Sequence, residues 1–230
     1  MNLPARLNLI VEGQTEETFV RDLLASHLGV HGVFVSVRCI ETSRSRKKGK
    51  IYRGGATTYE RAQRDIQRWL REDAGAHFST MFDLYALPVD FPGIEAARKT
   101  NDVYEKVRRI EEALASDIGD RRFIPYIQLH EFEGLLFSSV AAIDEILLPY
   151  APSRLPELEA IRNRYKTPEE IDDGQDTAPS KRLADLYSNY DKVSFGLRIA
   201  ARIGLDVIRR ECPHFSQWLG KLESLGGAQP

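Results

Sequence analysis

The chain has 230 residues, 42% of them hydrophobic, which is enough for one large domain, or a domain with a sizeable appendage, around an ordinary core. A formal net charge of −2 excludes molecule-wide attraction to nucleic acid, so any such binding rests on a local basic patch. No apolar run approaches the roughly 18–20 residues of a membrane helix, the polar start MNLPAR does not read as a secretory leader, and Cys39 and Cys212 lie too far apart for metal-ligand spacing, so the expectation is a cytoplasmic protein with no membrane partner and both cysteines buried as small hydrophobes.

Leu7 to Val11 predicts a short buried strand. Thr15 is the expected N-cap of the next helix, Glu16 and Glu17 suit its dipole, and Phe19, Val20, Leu23, Leu24 and Leu28 form its apolar face. Val33, Val35, Val37 and Cys39 alternate as a second strand. A polar stretch follows with six basic residues, Arg44, Arg46, Lys47, Lys48, Lys50 and Arg53. Tyr59, Ala62, Ile66, Trp69 and Leu70 mark a helix, and HFSTMFDLYAL predicts a third strand ending near Asp83. After the turn-rich PVDFPG, a long helix carries Val103, Val107, Ile110, Leu114 and Ile118 on one face. FIPYIQL is the fourth strand and runs into HEFEGLLFSS. Beyond Val140 only helices are expected, in the ranges 143–148, 155–165, 182–190, 197–208 and 215–222, with a polar surface loop at 166–182.

Strand–helix alternation predicts an α/β fold: a Rossmann-like parallel sheet of about four strands flanked by helices. Residues 1–140 form this core, and residues 141–230 a helical C-terminal subdomain packed on it. Ligands of such sheets gather outside the carboxyl ends of the strands. Three of the four strands deliver acids there. The first ends at Glu12, with Glu16 a turn further on; the third ends at Asp83, with Asp90 in the next loop; the fourth ends at His130, Glu131 and Glu133. Converging carboxylates repel unless protonated or bridged by a cation, and hard oxygen ligands favour Mg²⁺ or Mn²⁺. Such an ion beside a basic surface suits phosphodiester chemistry. Singly, each acid has a plainer reading as a cap, a turn residue or a solvent-facing group.

The segments VEGQTEETFV, YALPVDFPG, YIQLHEFEGLLF, PSKRL and CPHFSQWL together resemble the bacterial family called domain of unknown function 4276, over nearly the whole chain. That family is similar to the Toprim-like group, found in topoisomerases, bacterial primases and the overcoming-lysogenization-defect nucleases. The resemblance implies a glutamate after the first strand and an Asp-x-Asp pair after a later one, holding Mg²⁺ for phosphoryl transfer. By position Glu12 matches the glutamate, a general acid/base candidate, and Asp83 the first aspartate. Tyr85 stands where the second belongs, so Asp90, Glu131 or Glu133 has to replace it, and Glu133 is the preferred substitute. The resemblance further implies a phage-defence role with an ABC-type ATPase partner; this chain has no GxxxxGK[ST] loop of its own.

The basic 44–53 stretch is either a grip on a nucleic-acid backbone or a solvated loop. Ser180, Lys181 and Arg182 after Pro179 either hold a phosphate at a helix start or simply cap it. His130 is a general base or ligand, or merely hydrogen-bonded. Tyr85, Tyr126 and Phe91 either stack on bases or pack in the core, and Trp69 and Trp218 are packing residues. The reading that follows is a Mg²⁺-dependent nuclease acting on DNA or RNA. Its rivals are an inactive module that binds nucleic acid or the ATPase, and a nucleotide sensor, which lacks a glycine-rich phosphate loop.

Overall fold

The computed structural model describes residues 4–40, 59–172 and 177–227. The basic stretch from Arg44 to Arg53 lies outside them.

Strand β1 (Ala5–Val11) leads into a long helix: α1 (Gln14–Phe19), a π-helical turn (Val20–Leu24) and α2 (Ala25–Val30). The N-cap is Gly13 rather than Thr15, which lies inside the first turn with its hydroxyl buried. Strand β2 (Val33–Cys39), α3 (Tyr59–Glu72), β3 (His77–Asp83), the short α4 (Ile94–Ala97) and α5 (Val103–Ile118) follow. The strand order is β2-β1-β3-β4 and every pairing is parallel, with Val11 opposite both Cys39 and Met81. The α/β class expected from the sequence is the one observed.

The fourth strand is broken in two. Segment β4 (Phe123–Ile124) pairs with the start of β3, and β5 (Ile127–Gln128) with its end. Pro125, between them, has no N–H to give to a ladder. Side chains make good the loss. Thr80 Oγ1 donates to the Tyr126 carbonyl at 3.1 Å and accepts from its N–H at 3.0 Å, while Glu111 Oε1 accepts from the Ile127 N–H at 2.8 Å. Thr80→Val keeps shape but leaves the buried Tyr126 N–H unpaired and its carbonyl with only the Phe82 N–H at 3.5 Å. It should cost about 2 kcal/mol or more in urea unfolding; a cost near zero would mean that the Thr80 hydroxyl is not needed to bridge the break.

Alternation along the strands divides the core. Leu7, Leu9, Val11 and Met81 face one side; Ile10, Phe78 and Phe82 face the other, under α3 and α5. The first side is covered by the α1–α2 helix and the C-terminal helices: α6 (Glu133–Leu136), α7 (Val140–Leu147), α8 (Leu155–Arg162), α9 (Pro179–Leu186), α10 (Lys192–Ile203), α11 (Leu205–Glu211) and α12 (Pro213–Glu223). No strand occurs among the described residues after Gln128. The helix expected over 197–208 is two, because Gly204 at φ 81° swings the chain between α10 and α11. Tyr126, Phe91 and Trp218 are core residues; Cys212 is buried and Cys39 only half-buried. Trp69 is half-buried beneath the Arg38 guanidinium. No helix among the described residues is long and apolar enough to cross a membrane.

Candidate functional site

Because β1 and β3 are parallel neighbours in register, their carboxyl ends deliver Glu12 and Asp83 side by side. The Asp83 N–H donates to Glu12 Oε1 at 3.1 Å. Glu16, on the first turn of α1, is 3% exposed and lies against the Gly13 turn, where an added Cβ would sit 3.3 Å from Glu16 Oε2. Glu133 opens α6 just past β5 and is fully buried.

Desolvation is the largest perturbation at this edge. Burial, then the Glu16 charge, pushes the Glu12 carboxyl up to about 8 from its ordinary 4.5. Burial, then Glu12, Glu16 and Glu133, raises Asp83 well above the usual carboxylate range. Burial raises Glu133 to about 7. Several of these atoms also lack hydrogen bonds. Asp83 Oδ1, Glu16 Oε1, both Glu133 oxygens and the Thr15 and Tyr190 hydroxyls are buried with no partner of normal geometry. Buried polar atoms are nearly always paired, so a concentration of orphans at one edge marks a place built to receive something. The donors are hard oxygens, which fits Mg²⁺ or Mn²⁺. They are gathered rather than closed: among the described residues, no three acidic oxygens here lie within 4.8 Å of one another.

Two members of the site were not expected from the sequence. Lys192 at the start of α10 feels the charges of Glu133, Glu16, Asp83 and Glu131, which outweigh its desolvation and raise its pKa. As a residue Lys192 is exposed. Close packing brings α10 there: a Cβ on Gly196 would meet Phe132 and Thr15 side-chain atoms at 3.3 Å. A local signal existed, since lysine in a first helical turn opposes the dipole and invites a tertiary reason. Tyr190 is the other. Its phenol is pushed up by burial and then by Glu133.

The remaining predicted residues are placed differently. Asp90 accepts from the Tyr59 N–H at 3.2 Å and caps α3, away from the acids. Glu131 Oε2 accepts from the Ser180 N–H at 3.1 Å, so the α9 N-terminus expected to take a phosphate holds a carboxylate of the chain itself. Arg182 donates to the Thr177 carbonyl at 2.6 Å and to the Tyr165 hydroxyl at 2.9 Å, and Lys181 is exposed beside it. His130 has the left-handed φ of 59° that non-glycine residues seldom adopt, and its Nδ1 lies 3.3 Å from Asp172 Oδ2. Burial lowers its pKa. Tyr85 packs on His130 at 5.3 Å between ring centroids, with burial and then Asp172 raising its phenol, so it does not stand in for an acid.

A family model described as "Domain of unknown function (DUF4276)" matches residues 11–223, and the chain belongs to that family. Among solved structures it is similar to the C-terminal region of the Xanthomonas campestris pv. campestris OLD protein, at 16% identity and a TM-score of 0.49, covering 97% of this chain and 94% of that one. It is also similar to the C-terminal region of the Burkholderia pseudomallei OLD protein, at 14% identity and a TM-score of 0.46, covering 96% and 98%. No curated protein matches it.

Proposed function

We propose that this member of the domain of unknown function 4276 family is a divalent-metal-dependent phosphodiesterase that cleaves nucleic acid, DNA or RNA, on a Toprim-like fold. Glu12, Asp83 and Glu133, with Glu16 beside them, hold Mg²⁺ or Mn²⁺, and Glu131 stays at the rim. The observation that carries the reading is the group of buried, unpartnered carboxylate oxygens on Glu16, Asp83 and Glu133 around Glu12. When bound, the ion supplies Lewis-acid polarisation of the phosphate and neutralises the charge that builds on it. Glu12, hydrogen-bonded to the Asp83 N–H, is placed to exchange a proton with an attacking water; burial and Glu16 raise its carboxyl to about 8 in the metal-free protein, and a bound cation would lower it. The Lys192 ammonium offsets the acids and then the phosphate charge. Arg44, Arg46, Lys47, Lys48, Lys50 and Arg53, together with Lys181, track the polymer backbone, while Arg182 serves packing through Thr177 and Tyr165. An ABC-type ATPase partner and a phage-defence setting belong to the same proposal.

The test is incubation of the purified chain with plasmid, single-stranded DNA and RNA in Mg²⁺ or Mn²⁺, beside Glu12→Gln and Asp83→Asn. Cutting that requires the metal and disappears in both variants is the expected result. One observation favours a second reading: Lys192 already faces acids whose oxygens do not close on a point. That layout also serves a module that binds nucleic acid or an ATPase without turnover. Binding without cutting by all three proteins, with and without the partner ATPase, would select it.

A further inference from the structure

A second cluster lies at the opposite edge of the sheet. The helix that leaves β1 at the carboxyl edge runs back about 20 Å before reaching His27, and β2 starts just after His31. His27 and His31 are four residues apart, which places both rings on one helical face, with centroids 5.0 Å apart. Glu223, the last residue of α12, faces them. His27 Nε2 is 2.7 Å and His31 Nε2 3.8 Å from Glu223 Oε1. The three ligand atoms all lie within 4.8 Å of one another, and no other group of three histidine, cysteine or acidic side chains among the described residues meets that condition.

The geometry points to a binding site for a borderline divalent transition ion, Zn²⁺ by preference, held by His27, His31 and Glu223. Two imidazoles and one carboxylate are a donor set that such ions take with a fourth position left open to solvent, whereas Mg²⁺ prefers oxygens alone. Bonds of 2.0–2.1 Å in a tetrahedron set ligand atoms ~3.3 Å apart. The observed 2.7 and 3.8 Å straddle that value, so a small rotation of the Glu223 carboxylate equalises them. Arg209 Nη1 also donates to Glu223 Oε1, at 2.7 Å. A hydrogen bond of that kind orients a ligating carboxylate from outside the coordination sphere.

The backbone around the cluster is already fixed. A Cβ on Gly226 would run into the His31 carbonyl, so the turn after α12 rests directly on the turn after α2. An ion here would clip the end of α2 to the end of α12, remote from the acidic edge. Half-exposure of His27 and His31 gives it a path in from solvent.

His31 provides the discriminating variant. At 3.8 Å it makes no hydrogen bond to Glu223, so His31→Ala leaves the His27–Glu223–Arg209 bonds of the metal-free protein in place while removing a ligand. The experiment uses the full chain, freed of any purification tag and stripped with chelator. Zn²⁺ is titrated calorimetrically, Co²⁺ by absorption, and thermal melts are run at each step. Wild type should bind one equivalent with a melting rise of at least about 5 °C at a hundredfold excess over Kd. His31→Ala should bind at least tenfold more weakly and lose the rise, with a metal-free melting point near that of wild type. His31→Gln substitutes if the alanine variant folds poorly. Asp83→Asn should bind Zn²⁺ here as wild type does, which separates this site from the acidic one. The absence of saturable binding, or identical titrations of wild type and His31→Ala, overturns the assignment.

Discussion

Asp83→Asn should make the metal-free protein more stable at pH 8 while abolishing metal-dependent cleavage. Asp83 is 7% exposed, and Glu12, Glu16 and Glu133 all oppose its ionisation, so removing its charge relieves burial and repulsion at once. Wild type should show the cost as a pH dependence. Below pH 4.5 Glu12 and Glu133 are protonated in both folded and unfolded chains, and neither contributes. Above 4.5 the unfolded chain releases protons that the folded protein keeps until about pH 7 for Glu133 and about 8 for Glu12. The unfolded state then binds fewer protons, so stability falls as pH rises through this window and levels off above it. The two groups share surroundings, and Glu12 is part-exposed, so the fall should be on the order of 2–3 kcal/mol rather than the sum of the separate shifts.

Urea unfolding at pH 5.5 and pH 8 measures this directly. Asp83→Asn should shrink the difference, and millimolar Mg²⁺ or Mn²⁺ should restore wild type at pH 8 with little effect at pH 5.5. Cleavage by the variant should fall at least about a hundredfold, as expected for a lost electrostatic contact to the transition state. A wild type equally stable at both pH values, or a variant less stable at pH 8, would show that the acids are not mutually strained.

Trp218→Ala should cost about 3–5 kcal/mol, the range for emptying a large aromatic from a core. Trp218 is 2% exposed on α12. It stacks on Tyr126 with centroids 4.2 Å apart, meets Phe215 edge-on at 5.7 Å, and donates Nε1–H to Ser79 Oγ at 2.8 Å. Ser79 in turn donates to the Ile124 carbonyl at 2.6 Å. One side chain thus ties the C-terminal helices to the central strand whose far end carries Asp83. Trp218→Phe keeps most of the apolar contact and leaves the Ser79–Ile124 bond intact, so it should cost about 1–2 kcal/mol. Far-UV circular dichroism in urea reads both variants without relying on the remaining tryptophan, Trp69. A loss below about 1 kcal/mol for the alanine variant would mean that α12 contributes little to the fold.

The apolar run of β1, the alternation of Val33, Val35, Val37 and Cys39 in β2, the 3.6-residue spacing of Tyr59–Leu70 and Val103–Ile118, and the position of Glu12 and Asp83 just past apolar runs are all properties of neighbours along the chain. They sufficed for the parallel sheet and for the first two acids. The short fourth strand misled because a proline inside an apolar run leaves its hydrophobicity unchanged while removing a ladder donor. Gly204 misled likewise, since helical periodicity continues across it while the backbone turns.

Which carboxylates join the acidic edge was not legible. Asp90 and Glu131 follow strand ends as Glu133 does, yet one caps α3 and the other α9. A helix N-terminus and an open acidic pocket compete for the same charge, and which is nearer depends on packing. Lys192 arrives from a helix more than a hundred residues after Asp83 because Gly196 lets α10 approach closely. The spacing of His27 and His31 is local, but Glu223 lies 196 residues beyond the first of them. The sequence by itself determined which segments are strands and helices and where two acids leave the sheet, because those depend on short-range periodicity. Only the tertiary structure decided which distant charges became partners, because electrostatic pairing follows distance in space, and long-range packing sets that distance.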